Sequence, residues 1–264
     1  MLRTPFIESA TASNSTPPAP ESCWLRALLT EKIRLPNQLL TVLPVKRALV
    51  TGGTGRLGSA ISARLEREGW NVFPAGRVHG DISHVESARA VVQTAAEELG
   101  GLDLLVNAAS DGFSPKPVEQ VTEQDWEAAL GVTAKGAFFV TQGAAPLLRE
   151  SRGVVIMIED VMGYEPWPSF AAHGAAKAAQ AYLTRLFARA LAPEVRVCGI
   201  APGPVAVEPE QVERRAAETL LGRIGTPDDI ADAVVYLTGA DFVTGATLVV
   251  DGGLLLQSAR SIKP

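Results

Sequence analysis

The sequence predicts an α/β protein, a doubly wound parallel sheet with helices on both faces. Three observations carry this. From residue 45 onward, short apolar runs alternate with stretches of helical periodicity. The first run ends in a turn with glycines at 52, 53, 55 and 58 that leads into a helix. The chain has 264 residues, enough for one large domain with a full core.

The first strand is the run Ala48-Leu49-Val50, apolar throughout as a buried parallel strand reads. A helix comes next over about 56–68, with Leu57, Ile61 and Leu65 at helical spacing and Gly69 as its stop. Trp70 to Ala75 is strand two. Only three residues separate Arg77 from Asp81, whereas a parallel crossover needs about a dozen. The sheet is therefore expected to be shortened at the strand 2 to strand 3 edge. His84 to Leu99 is helical, with Ala90, Val91 and Ala95 on one face and Gly100-Gly101 as its stop. Leu102 to Asn107 is the next strand. Thr122 with Asp125 opens a capping box, and one long helix runs from there to about Arg149. Strand 153–160, an alanine-rich helix 169–191, strand 195–200, a helix 227–237 and strand 246–250 complete the alternation.

Net charge is −5, so composition argues against nucleic acid or an anionic membrane as partner. No apolar run approaches the roughly 18 residues that span a bilayer. The two cysteines, Cys23 and Cys198, suggest neither a disulfide framework nor a metal site, and Cys198 reads as a buried thiol. Residues 1–44 differ in character from the rest of the chain. Serine, threonine and proline crowd positions 9–20, which cannot bury enough apolar surface to order the chain. A transit peptide, a disordered extension and a start codon set too far upstream all remain open. Residues 45–264 are expected to form a single domain.

Gly53, Gly55 and Gly58 fit G-x-G-x-x-G between a strand and a helix. Such a turn lets bare backbone approach a pyrophosphate, and the helix start offers it unpaired N–H groups. Together with this turn, Asp81, Asn107-Ala108-Ala109, Lys177, Pro202-Gly203, Gly245 and Asp251-Gly252-Gly253 resemble the short-chain dehydrogenase/reductase family over about residues 45–255. The resemblance implies a Rossmann-type domain, a nicotinamide cofactor, a small-molecule substrate, a cytoplasmic protein and a homodimer or homotetramer. Within the family, Asn107 to Pro117, Arg56 and Asp160 look most like pteridine reductases, while the spacing set by Gly55 is more usual in the extended branch.

The resemblance implies cofactor contacts from Thr51, Gly52, Gly53, Gly55, Leu57 and Gly58, adenine contacts from Asp81 and Ile82, a lining of Asn107, Ala108 and Ala109, and a nicotinamide cover from Pro202, Gly203 and Val205. Strand two ends Ala75-Gly76-Arg77 with no acid to bond a ribose hydroxyl. Arg56 and Arg77 can instead hold a 2′-phosphate, so NADP(H) is the expected cofactor. The family's usual tyrosine and lysine sit four residues apart on a helix; here His173 precedes Lys177 at that spacing. Thr133 stands where asparagine is usual, and Asp160 where serine is. The catalytic candidates are Asp160, His173, Lys177 and Thr133, with no metal. His173 can act as proton donor with Asp160 orienting it, or the fold persists without turnover. Glu159 competes with Asp160 as the inward acid. Tyr164 is a further donor candidate, His79 and the acids at 208–213 read as solvated surface, and Phe113, Trp167 and Phe170 as aromatic walls. The open substrate readings are a pterin-like ring, a 3-oxoacyl or other ketone, and none.

Overall fold

The computed structural model describes residues 45–112, 114–205 and 207–258. The readings for residues 1–44 and Phe113 lie outside these. Six parallel strands form one sheet in the order β2-β1-β3-β4-β5-β6. They are β1 (Arg47–Thr51), β2 (Asn71–Ala75), β3 (Leu104–Asn107), β4 (Val154–Ile158), β5 (Arg196–Pro202) and β6 (Thr247–Val250). β2 is an edge strand, as the short Arg77-to-Asp81 connection requires. Only a single turn, Arg77–His79, precedes the next helix.

The strands read as unbroken apolar runs because both faces are covered. Leu49, Leu105, Val155, Met157 and Val197 point to one core. Ala48, Val50, Leu104, Ile156, Cys198 and Ile200 point to the other. The first core is closed by α2 (Val85–Leu99), α4 (Ala137–Ser151) and α5 (Ala171–Leu191); the second by α1 (Arg56–Arg67) and α7 (Pro227–Gly239). α2 buries Ala88, Val91, Val92 and Ala95. Ala90, expected on that stripe, is exposed because it sits one residue off the period. Cys198 is a buried free thiol whose Sγ lies 3.3 Å from Val243 O.

The long helix expected from Thr122 to Arg149 is three pieces. The capping box at Thr122 opens α3 (Glu123–Leu130), with Asp125 N donating to Thr122 Oγ1 at 3.2 Å and Thr122 N to Asp125 Oδ2 at 2.9 Å. A widened π turn then runs over Gly131–Gly136 before α4. Such widened turns are uncommon and collect at functional sites. Thr133 lies in this one and is fully buried. Two short helices, α6 (Val212–Ala217) and α8 (Leu254–Ser258), are the remaining α-helices among the described residues. Among the described residues no helix is long and apolar enough to cross a membrane.

Candidate functional site

The loops after β1 to β5 all leave the carboxyl edge of the sheet, where ligands of such sheets lie in the crevice at the strand-order reversal, here between β1 and β3. The turn after β1 has no spare room. Gly52 adopts φ +66°, and a Cβ there would come 2.8 Å from Ala108 O and Ala109 N. A Cβ on Gly53 would come 2.6 Å from Pro74 Cα, and one on Gly58 would strike Gly52 O. These glycines bring the start of α1 down onto the turn. Gly55 N donates to Gly52 O at 2.9 Å, and Thr51 Oγ1 lies 3.4 Å from both Val106 O and Ala109 N. Leu57 packs against the second core.

α1 also begins differently from its neighbours. Thr122 caps α3 and Thr226 caps α7, each with an aspartate closing the box. α1 starts at Gly55 with no side-chain cap and no acid in its first turn. Its dipole end is left to whatever fills the crevice, and the exposed Gly55 backbone beside it leaves room for a phosphate. The residues present fit a dinucleotide pyrophosphate.

Beyond the tip of β2, Arg77 projects into solvent with its Nη2 3.5 Å from Asp111 Oδ1. Arg56 Nη1 lies 3.4 Å from Glu208 Oε1 in the loop after β5. The two arginines thus meet acids from two different loops. Asp81 Oδ1 accepts Ser83 N–H at 3.0 Å, a bond that holds its carboxyl below the usual range. Ile82 is buried against Gly136 of the π turn, where a Cβ would come 2.9 Å from its Cγ1. Asn107 Nδ2 donates to Thr141 Oγ1 at 3.0 Å, and its buried Oδ1 has no hydrogen-bond partner among the described residues. Ala108 and Ala109 are half-buried beside it. At the end of β5, Gly203 N donates to Val250 O at 3.0 Å, and Val205 bridges to Gly225. His79 is not merely solvated. It accepts Gly76 N–H at 3.0 Å through Nδ1 and sets its ring edge against Phe73.

β4 delivers the acids. Both follow its last residue, Ile158, and both meet α5 at different levels, Glu159 at Thr184 and Asp160 at His173. Glu159 is 1% exposed and forms a hub. It accepts Thr184 Oγ1–H at 2.6 Å, Thr247 Oγ1–H at 3.1 Å and the hydroxyl of Tyr164. A Cβ on Gly199 would invade the carboxylate. Burial, then the bond to Glu159, push the Tyr164 phenol up to about 12, and this phenol is committed to Glu159 and Thr247.

Asp160 Oδ1 caps the next turn by accepting Met162 N–H at 2.8 Å. Its Oδ2 lies 3.6 Å from His173 Nε2. His173 and Lys177, one turn apart on α5, are each 4% exposed. Lys177 Nζ donates to Ile158 O at 2.7 Å and to Gln180 Oε1 at 3.1 Å. Burial lowers its pKa to about 8, although Asp160 and Glu159 pull it upwards. Asp160, His173 and Lys177 therefore meet at the carboxyl end of β4. Thr133 is one step removed, with its hydroxyl 3.3 Å from Ser110 Oγ in the loop after β3.

The rim is cross-braced. Lys116 N donates to Ser169 O at 2.9 Å, and the Arg215 guanidinium of α6 lies 4.9 Å over the Trp167 ring. Trp167 in turn leans on Phe170 at 6.3 Å. Glu210 and Glu213 are exposed, as expected, but Glu208 is paired with Arg56. Sequence reasoning missed the partners Asp111 and Glu208, because nothing in a linear pattern shows which loop acid meets which arginine.

A family description, enoyl-(acyl carrier protein) reductase, matches residues 56–255. An uncharacterized oxidoreductase of Mycobacterium tuberculosis is 36% identical over 242 residues, covering 79% of this chain and 92% of that protein. A blue fluorescent protein from a metagenomic library, solved with NADPH, superposes with a TM-score of 0.73 at 28% identity, covering 79% of this chain and 97% of its own. A 3-ketoacyl-(acyl-carrier-protein) reductase of Brucella melitensis, solved with NADH, gives 0.74 at 27% identity, covering 79% and 98%.

Proposed function

The chain belongs to the short-chain dehydrogenase/reductase family, and from that premise we propose that it is an NADP(H)-dependent reductase of a C=O or C=N bond in a pterin-like substrate. The observation that carries this reading is the meeting of Asp160, His173 and Lys177 at the sheet edge that also carries an uncapped glycine turn. When bound, the nicotinamide supplies a hydride. The chain's own residues hold and deliver the proton. His173 stands where the family's tyrosine is usual and is almost closed off, whereas the Asp160 side chain keeps 19% of its surface open. Asp160 is then the group that meets the substrate, directly or through water. His173 is the proton store behind it, its Nε2 3.6 Å from the Asp160 carboxylate. Lys177 supplies the ribose-side cation, and Thr133 with Ser110 braces the facing loop.

The absence of an acid at the tip of β2, with Arg77 standing there, supports the NADP form. Likeness to the Brucella ketoacyl reductase favours a second reading, in which the substrate is a 3-oxoacyl or other ketone. Tyr182 and Leu186, exposed on α5, support a homodimer or homotetramer that buries this face, and the cytoplasmic reading rests on the family resemblance alone. Residues 45–264 are taken as the single domain and 1–44 as an extension.

The test is turnover of NADPH with dihydropterin, quinonoid and ketone substrates. His173→Gln should bind NADPH as wild type does and lose about a hundredfold or more in kcat. Arg77→Ala should weaken NADPH and spare NADH. Tight NADPH binding without turnover on any substrate would leave a silent nucleotide-binding protein and defeat the reductase reading.

A further inference from the structure

The two arginines assigned to the cofactor's phosphates are each paired to an acid in this fold, and both pairs lie across the path a dinucleotide must take. Arg77 comes after β2 and Asp111 after β3, with β1 between these strands. Their 3.5 Å contact therefore spans the carboxyl end of β1, above the glycine turn. Arg56 opens α1 and Glu208 comes after β5, so their 3.4 Å contact ties the start of α1 to the loop after β5 at the same sheet edge. Neither acid's side chain caps a helix or enters the core; Glu208 precedes a short turn with its carboxylate uncommitted to it, both arginines face solvent, and Asp111 is half-buried. Exposed pairs of this kind are weak, so a phosphate offering guanidinium two oxygens can displace them.

We infer that Asp111 and Glu208 are internal competitors for the cofactor's phosphates: they hold Arg77 and Arg56 in two straps over the crevice, and the dinucleotide binds by taking both arginines from them. The inference rests on the NADP(H) reading. Arg77 stands at the ribose end, so Asp111 competes with the 2′-phosphate alone. The sequence alone sets Arg56 beside Arg77 on the 2′-phosphate; in the fold Arg56 opens α1 next to the glycine turn, so Glu208 here competes with the pyrophosphate common to both dinucleotides. Asp111 thereby sets the NADPH-to-NADH preference, and Glu208 sets overall affinity and ties the loop before α6 to nucleotide binding.

The experiment is fluorescence titration of NADPH and NADH with stopped-flow association rates, on wild type, Asp111→Asn, Glu208→Gln and Arg77→Ala. Glu210→Gln serves as the charge control, since Glu210 forms no ion pair among the described residues. Asp111→Asn should tighten NADPH by about 1.5- to 5-fold, the range set by an exposed pair, and leave NADH nearly unchanged. Glu208→Gln should tighten both dinucleotides by a similar factor and speed association, and Glu210→Gln should change neither. Weaker NADPH binding in Asp111→Asn would mean that the acid positions Arg77, and unchanged binding that it does nothing; either overturns the inference. An equal gain in Glu210→Gln overturns it too, since net charge alone would then be responsible. Arg77→Ala separates the two levels. If it lowers NADPH affinity while Asp111→Asn gives no gain, the cofactor reading stands and the competition is wrong. If it leaves the NADPH-to-NADH ratio untouched, both fall.

Discussion

Lys177→Met is the sharpest probe of the site's electrostatics. Lys177 is enclosed between the end of β4 and α5, and burial takes its pKa from 10.5 to about 8. At about 1.4 kcal/mol per pH unit, that fall is a penalty of roughly 3 kcal/mol for keeping the ammonium folded at neutral pH. Below about pH 8 both folded and unfolded chains carry the proton, so the full penalty is present. Between about 8 and 10.5 the unfolded chain holds the proton and the folded chain does not, so stability rises with pH through that window. Methionine fills the same volume without the charge, but leaves Gln180 Oε1 and one lone pair of Ile158 O without the donor that now serves them, at about 1–3 kcal/mol. At pH 7 the two effects largely offset, and the variant should be about as stable as wild type. The diagnostic is the pH trend. The difference in unfolding free energy, wild type minus variant, should climb by about 3 kcal/mol from pH 8 towards pH 10.5. Tyr164 and Cys198 titrate alike in both proteins and cancel. Urea unfolding monitored by circular dichroism at several pH values measures it. Parallel stability curves for the two proteins would refute the argument, because burial of Lys177 would then carry no penalty.

The same geometry leads to two more expected outcomes. Gly58→Ala pushes a Cβ into Gly52 O, backbone against backbone, and should lose about 1–3 kcal/mol of stability in urea unfolding despite alanine's better helix propensity, with nucleotide affinity falling as the turn opens. Glu159→Leu strips the acceptor from Thr184, Tyr164 and Thr247 and should cost about 2 kcal/mol or more, while ultraviolet titration should find the Tyr164 phenol ionising below about 12. If the variant is as stable as wild type, the hub is not a structural element.

The covalent order alone determined the wound sheet. Strands buried on both faces leave unbroken apolar runs, helices between them leave a 3.6-residue stripe, and the missing residues between Arg77 and Asp81 announce a shortened edge. The glycine turn was legible too, because only glycine tolerates the contacts found at 52, 53 and 58. The i, i+4 pairing of His173 with Lys177 comes from helix geometry. Only the folded chain decided the rest. Whether Glu159 or Asp160 faced His173 depended on which acid the hydroxyls of Thr184 and Thr247 could reach, and those lie 25 and 88 residues away. The π turn at Thr133 is a packing outcome with no repeat to betray it. The arginine partners Asp111 and Glu208 are set by loop approach across the sheet edge, a long-range event that no local period encodes.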